Sequence, residues 1–280
     1  MNLRSVMAIT KKDFLEVRHN KSVWMPMLIL PLVFVILLPL AMILVPPALG
    51  PEAQSLTSDP DLAIFFERMP AGMKEAIAGF DTNQTMVYVM LGYMFAPFFL
   101  ILPLMFATVI AAESFAGERE RKTLEALLYT PTSDAELFLG KVLTALIPAV
   151  GISWFSFGVY TVVLNTVGFG LFDRIWFPLP SWYVLIFWIT PALAVIGVAA
   201  TVLISSREQT FMGAYQSSAA LVLLPIGLMV GQMTGVLYLT VGASLLIGLV
   251  FWLISAGLTR LAVHSFRRTQ LLVGTINNRK

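Results

Sequence analysis

The chain has 280 residues, of which 58% are hydrophobic and only 12% are charged. This composition excludes an ordinary soluble globular protein and predicts a membrane protein. The formal charge of +2 and the absence of cysteine give no support for nucleic-acid binding, disulfide bonds or thiolate metal sites.

Residues 1–22 form a separate unit before the first long apolar stretch. The apolar positions that recur there at helical spacing are Leu3, Val6, Met7, Phe14 and Val17, with the charged residues mostly on other faces. This pattern predicts an amphipathic elbow helix at the membrane interface. A positively charged flank that only fixes the topology is the alternative.

Long charge-free windows predict the number of membrane spans. The windows are 22–51, 82–112, 142–172, 175–206 and 209–259. A span needs about 20 residues, so the first four windows hold one span each. The fifth is broken between Gly231 and Gly235 and holds two, near Phe211–Val230 and Val236–Leu258. We therefore predict an all-α membrane protein with six transmembrane helices in residues 23–259.

Lysine and arginine predict the orientation of these spans. Segments 1–21, 113–141, 205–210 and the basic tail 260–280 carry 15 of the 18 Lys and Arg residues. By the positive-inside rule these segments and both termini face the cytoplasm, in a multi-pass protein of the cell (inner) membrane.

Residues 46–85 form the largest segment predicted to lie outside. Asp59 with Pro60 favours the start of one short helix, and Pro70 favours a second that ends near Gly79. We interpret this segment as a packed connector, with a lid over a transport path as the alternative.

A charged segment, residues 113–136, joins spans 2 and 3. Residues Glu118 to Tyr129 predict a short amphipathic helix, and the i,i+4 spacing favours ion pairs of Glu118 with Lys122 and of Arg121 with Glu125. An apolar ridge on this helix is available to another protein.

The signals that end this helix and start the next are also local. Pro131 stops the first helix. Ser133 and Glu136 form a capping box, which predicts that span 3 begins at Asp134.

Several motifs between residues 113 and 141 together resemble a known family. They are Glu113, Gly117-Glu118, Thr123-Leu124-Glu125, Leu127-Leu128, Thr130-Pro131, Glu136 and Gly140-Lys141. The segment resembles the cytoplasmic signature of type 2 ABC transporter permeases, in the sodium, drug or peptide efflux branch. The resemblance implies a permease subunit that forms half of the pathway of an ATP-driven exporter, paired with a second permease as a homodimer or heterodimer.

The resemblance further implies that Glu118 to Tyr129 is a coupling helix that docks on a separate ABC ATPase, present in two copies. The residues it assigns to ATPase coupling are Glu113, Gly117, Glu118, Arg121, Thr123, Leu124, Glu125, Leu127, Leu128 and Pro131. Gly140-Lys141 lacks the other residues of a phosphate loop, so ATP and Mg²⁺ would be bound by the partner ATPase and no cofactor by this chain.

The predicted spans carry no charged residue at mid-depth, which favours a path gated by an external motor over a proton-coupled carrier. The uncharged polar residues that could line such a path include Ser153, Ser156, Asn165, Gln216 and Ser217. The alternative function is a self-sufficient channel or ion-coupled secondary transporter. A membrane-embedded enzyme or a metal site has little support, because His19 and His264 lie at opposite ends of the chain.

Overall fold

The computed structural model describes residues 2–49, 69–121, 132–208 and 210–265. In these ranges the chain forms helices joined by turns, and six of the helices are long and apolar enough to cross a membrane, as the hydropathy windows predict. In chain order the main helices are α1 (Leu3–His19), α2 (Val23–Val45), α3 (Ala71–Ala76), α4 (Thr82–Glu120), α5 (Asp134–Val167), α6 (Pro180–Ser205), α7 (Phe211–Met233) and α8 (Val241–Ser265).

Helices α4 and α6 form the centre of the bundle. Their apolar windows are 78% and 72% buried, whereas those of the other four spans are only 17% to 28% buried. Small residues permit this central contact, since a Cβ on Gly197 would lie 3.1 Å from Ala107 Cβ. The outward faces of the surrounding helices carry exposed apolar side chains, which suits contact with lipid.

Helix α4 contains two wider π-helical turns, Met90–Met94 and Glu113–Gly117. At the first, Tyr160 Oη donates to the Leu91 carbonyl at 2.8 Å and Trp182 Nε1 donates to the Gly92 carbonyl at 2.6 Å. Polar atoms buried inside a membrane bundle need such partners, because no water is available to satisfy them.

Local capping signals fix several helix ends as predicted. The capping box of Ser133 and Glu136 is present, and α5 begins at Asp134. Pro70 is the N-cap of α3, and Gly79 follows that helix with a positive φ of 89°. The helix predicted from Asp59 and Pro60 lies outside the described residues.

Several predicted span boundaries differ from the structure, and two of these differences follow from local features. Helix α8 begins at Val241, five positions after the predicted start, because the turn at Gly235, with φ of 69°, is followed by non-helical residues 237–240. Helix α4 runs past the predicted end of span 2 to Glu120, since the turn Glu113–Gly117 keeps it helical.

The connections alternate between the two ends of the bundle. Helix α1, the end of α4, the start of α5 and residues 206–208 lie at one end, which we call the α1 end. Helix α3 and the turns 173–179 and 234–240 lie at the other.

Candidate functional site

Helix α1 packs closely against α5 at the α1 end, through Gly140. A Cβ at this position would lie 2.8 Å from Ile9 Cγ2 and 3.2 Å from the Val6 carbonyl oxygen. The Thr10 hydroxyl donates to the Gly140 carbonyl at 3.1 Å. The glycine therefore lets the two backbones approach, which brings the polar side chains on either side of this contact together.

Lys141, the next residue, has a side chain that is 0% exposed. Its ammonium group donates to Asp13 Oδ2 at 3.0 Å, to the Ser114 carbonyl at 2.8 Å and to Glu118 Oε2 at 2.6 Å. The three N–H groups thus each have an acceptor, on α1 and at two positions of α4. Burial of this charge is tolerated because it is both paired and hydrogen-bonded.

Lys12 joins α1 to α4 at the rim of this buried centre. Its Nζ lies 2.9 Å from Glu118 Oε1. It also lies 3.2 Å from Asp13 Oδ1, an ion-pair distance without hydrogen-bond geometry. Partial burial alone would lower the pKa of Lys12, but the hydrogen bond to Glu118 and the charges of Asp13, Glu118 and Glu16 raise it above its ordinary value. The ammonium group therefore stays charged near neutral pH.

Arg121 forms a second link at the rim. Its Nη2 lies 2.7 Å from Glu113 Oε1 and 3.3 Å from Glu16 Oε1. The charge cluster is made of the carboxylates Asp13, Glu16, Glu113 and Glu118 with the cations Lys12, Arg121 and Lys141. Four acids against three bases leave one excess negative formal charge.

Arg119 and Glu120 connect the same run of residues to two further helices. Arg119 Nη1 donates to the Ser205 carbonyl at the end of α6 at 2.5 Å. The Phe211 amide at the start of α7 donates to Glu120 Oε2 at 2.8 Å. A cation at a helix C-terminus and an anion at an N-terminus both match the helix dipoles. The four residues Glu118–Arg121 thus contact α1, α5, α6 and α7.

Three carboxylates of the cluster, those of Asp13, Glu16 and Glu118, lie within 4.8 Å of one another, close enough to hold a metal ion. The space between them is occupied by ammonium groups, because Lys141 and Lys12 lie 2.6 and 2.9 Å from the two Glu118 oxygens. This arrangement is that of an ion-pair network rather than of a cation site.

A family model described as ABC-2 family transporter protein matches residues 7–274, a range that includes the charge cluster and all six spans. The chain belongs to this family. A search of the curated proteins finds no match. As an ABC-2 permease, the protein is the membrane subunit of an ABC transport system, a class that associates with an ABC ATPase.

The structure of this ABC-2 permease brings together four of the residues assigned to ATPase coupling. Glu113, Glu118 and Arg121 belong to the charge cluster, and a Cβ on Gly117 would lie 2.9 Å from Glu113 Oε2. The other assigned residues, Thr123, Leu124, Glu125, Leu127, Leu128 and Pro131, lie outside the described residues. So do Lys122 and the rest of the predicted coupling helix.

Sequence reasoning missed the contribution of Asp13 of α1 to this site. Asp13 was expected on a charged face, but it lies on the buried face with Val6, Thr10 and Val17, because Lys141 neutralises it there. The helical spacing of Asp13 from Val6, Thr10 and Val17 could have indicated that all four residues share one face of α1.

The five residues predicted to line a path fall in different surroundings. Ser153 and Ser156 of this permease are buried within the single chain, and Ser153 donates to the Ala149 carbonyl at 2.7 Å. Asn165 stabilises the turn after α5, where its side-chain amide Nδ2 donates to the Phe177 carbonyl at 2.7 Å. Gln216 and Ser217 are exposed on α7.

The Gly140 contact gives a direct test of how α1 is held. Gly140→Val should destabilise the permease by about 1 to 3 kcal/mol, because the added atoms overlap Ile9 and Val6. The thermal unfolding midpoint in detergent measures this. Gly151→Val is the matched control in the same helix, where an added Cβ meets nothing within 4 Å. Equal midpoints for the two variants would contradict the close approach of α1.

Proposed function

We propose that this ABC-2 permease is the membrane subunit of an ATP-driven exporter and forms half of its translocation pathway. A second permease chain, identical or related, supplies the other half. Two copies of a separate ABC ATPase bind ATP and Mg²⁺ and supply the energy. The complex lies in the cell (inner) membrane with both termini in the cytoplasm, in line with the distribution of Lys and Arg.

The coupling segment runs from Glu118 to Tyr129 and docks on the ATPase, and its first three residues are the last residues of α4. The observation that supports this most directly is the set of contacts made by its first four residues, Glu118–Arg121, with α1, α5, α6 and α7. Charge-assisted hydrogen bonds are the stronger class in proteins. A displacement of the docked segment is therefore shared among the helices that it joins, instead of being absorbed by a flexible loop.

Transport then follows from movement at the α1 end. ATP binding closes the two ATPase copies and pushes the coupling helix, which tilts α4 and α5. The Glu120 contact with Phe211 passes this displacement to α7. Helix α7 carries Gln216 and Ser217 on an exposed face, and we assign this face to the pathway between the two permease chains.

The interior of the spans suits uncharged or amphipathic cargo. Peptides and amphipathic drugs need apolar contacts with a few polar groups, whereas sodium needs a ring of carbonyl and hydroxyl oxygens. Gln216 and Ser217 supply two polar groups per chain that could contact a peptide or an amphipathic drug.

Purification of the permease with the product of the neighbouring gene, which we expect to be the ABC ATPase, tests the proposal. We expect a stable complex that hydrolyses ATP in liposomes and moves substrate only when ATP is present, and no transport by the permease alone. Robust transport by the permease without any ATPase would overturn the proposal in favour of a self-sufficient channel or ion-coupled transporter.

A further inference from the structure

The contacts of α1 define which of its sides faces the membrane. The Thr144 hydroxyl oxygen lies 3.4 Å from the backbone carbonyl oxygen of Thr10, and Thr144 lies further along α5 into the bundle than Lys141. Lys12 and Glu16, on another side of α1, instead contact Glu118 and Arg121 at the far end of α4. The Thr10 side of α1 is therefore directed toward the bilayer, and the Lys12 and Glu16 side is directed away from it.

The bilayer side of α1 continues into an exposed apolar edge. Leu3, Met7 and Phe14 fall within an arc of about 40° on the helix, beside the buried face. Leu3 is 68% exposed and Met7 is 59% exposed. An exposed apolar edge next to a membrane bundle suits burial at the boundary between headgroups and acyl chains.

A basic stripe lies next to this edge, on the side away from the bundle. Arg4, Lys11 and Arg18 are spaced seven residues apart and fall within an adjacent arc of about 40°. All three are exposed. Within the described parts of the chain, no ion pair involves any of these three side chains. The acids of α1, Asp13 and Glu16, are instead paired inside the charge cluster.

We propose that the stripe Arg4, Lys11 and Arg18 binds the headgroups of anionic phospholipids in the leaflet beside α1. The order of the faces matches the order of layers in a membrane: the apolar edge meets the hydrocarbon boundary, the basic stripe lies at headgroup level, and the charge cluster lies beyond it. Each Lys or Arg near an anionic surface adds to the attraction, so three in one stripe select anionic over neutral lipid.

Lipid binding at this stripe also bears on coupling, a consequence that rests on the proposed function. Asp13 and Lys12 tie α1 to Lys141 and Glu118. A helix held at headgroup level therefore fixes the distance from the membrane at which the coupling helix begins.

Lipid titration of the full-length permease in neutral detergent tests the binding. Phosphatidylglycerol should raise the thermal unfolding midpoint, whereas phosphatidylcholine or inorganic phosphate alone should not. In the variant Arg4→Gln, Lys11→Gln, Arg18→Gln, the amount of phosphatidylglycerol needed for half the shift should rise about tenfold or more. The control Arg207→Gln, Arg267→Gln, Arg268→Gln removes the same charge and should respond as the wild type does.

Three results would overturn the proposal: an unchanged response in the α1 variant, an equal loss in both variants, or an equal shift with inorganic phosphate. An equal loss would mean that the basic residues act only through net charge. None of these measurements needs an ATPase, so failure here is distinct from failure of the proposed function.

The depth of α1 can be measured separately, because the chain contains no cysteine that would interfere. Nitroxide labels at Met7→Cys and Ser5→Cys in vesicles of phosphatidylcholine and phosphatidylglycerol should differ in collisions with oxygen and with a water-soluble nickel complex. Met7→Cys should favour oxygen and Ser5→Cys should favour nickel. The reverse order would contradict the assigned orientation.

Discussion

Lys141→Met is expected to destabilise this permease by about 3 to 5 kcal/mol, because removal of one partner from a buried ion pair leaves the other without compensation. The carboxylates of Asp13 and Glu118 would then remain almost fully buried, and among the described residues Lys12 at the rim would neutralise them only in part. The thermal unfolding midpoint and the yield of folded protein in detergent measure the loss. Lys21→Met is the control, since Lys21 is exposed and should change stability by only about 0.5 kcal/mol.

A triple variant separates charge from shape. Asp13→Asn and Glu118→Gln added to Lys141→Met remove the two buried negative charges that Lys141 pairs with, so stability should recover in part. If the single and triple variants unfold at the same temperature, the loss comes from packing and the electrostatic explanation is wrong.

Leu124→Asp combined with Leu127→Asp should weaken ATPase binding about 100-fold or more, because apolar residues at the centre of an interface carry about 2 kcal/mol or more each. Both positions lie outside the described residues, in a segment that the sequence predicts to be cytoplasmic, so membrane insertion should be normal. Co-purification of the ATPase with the permease measures the effect.

A control pair on the opposite side of the predicted helix makes this result specific. Ala126→Asp with Tyr129→Asp adds the same negative charge and should retain ATPase binding. Normal binding and export by the Leu124 and Leu127 variant would show that the coupling helix has been assigned to the wrong segment or the wrong face.

Much of the fold was predictable because its signals are local. The six spans follow from the cost of placing charge in hydrocarbon, which acts on every window of about 20 residues independently. The start of α5 follows from the capping box of Ser133 and Glu136, only three residues apart. The start of α8 was missed because the residues after Gly235 are apolar without being helical, and hydropathy does not separate those two properties.

The candidate site was predictable only in part. The resemblance led to Glu113, Glu118 and Arg121, which do meet in the charge cluster. It gave no role to Asp13. Sequence spacing favoured Lys122 as the partner of Glu118, and Lys122 lies outside the described residues. Among the described residues the partners of Glu118 include Lys12 and Lys141, which are distant in the sequence.

The sequence by itself determined that this protein is a six-span helical permease with a charged segment between its second and third spans, because hydrophobicity and helix capping act over short stretches of chain. Only the tertiary structure decided which charges meet. Asp13 and Lys141 are 128 residues apart, and Lys12 and Glu118 are 106 apart. No local sequence signal selects these partners among the 18 basic and 16 acidic residues. The close approach of α1 to α5 at Gly140 selects the partners, because it excludes water from these charges, which then pair with one another.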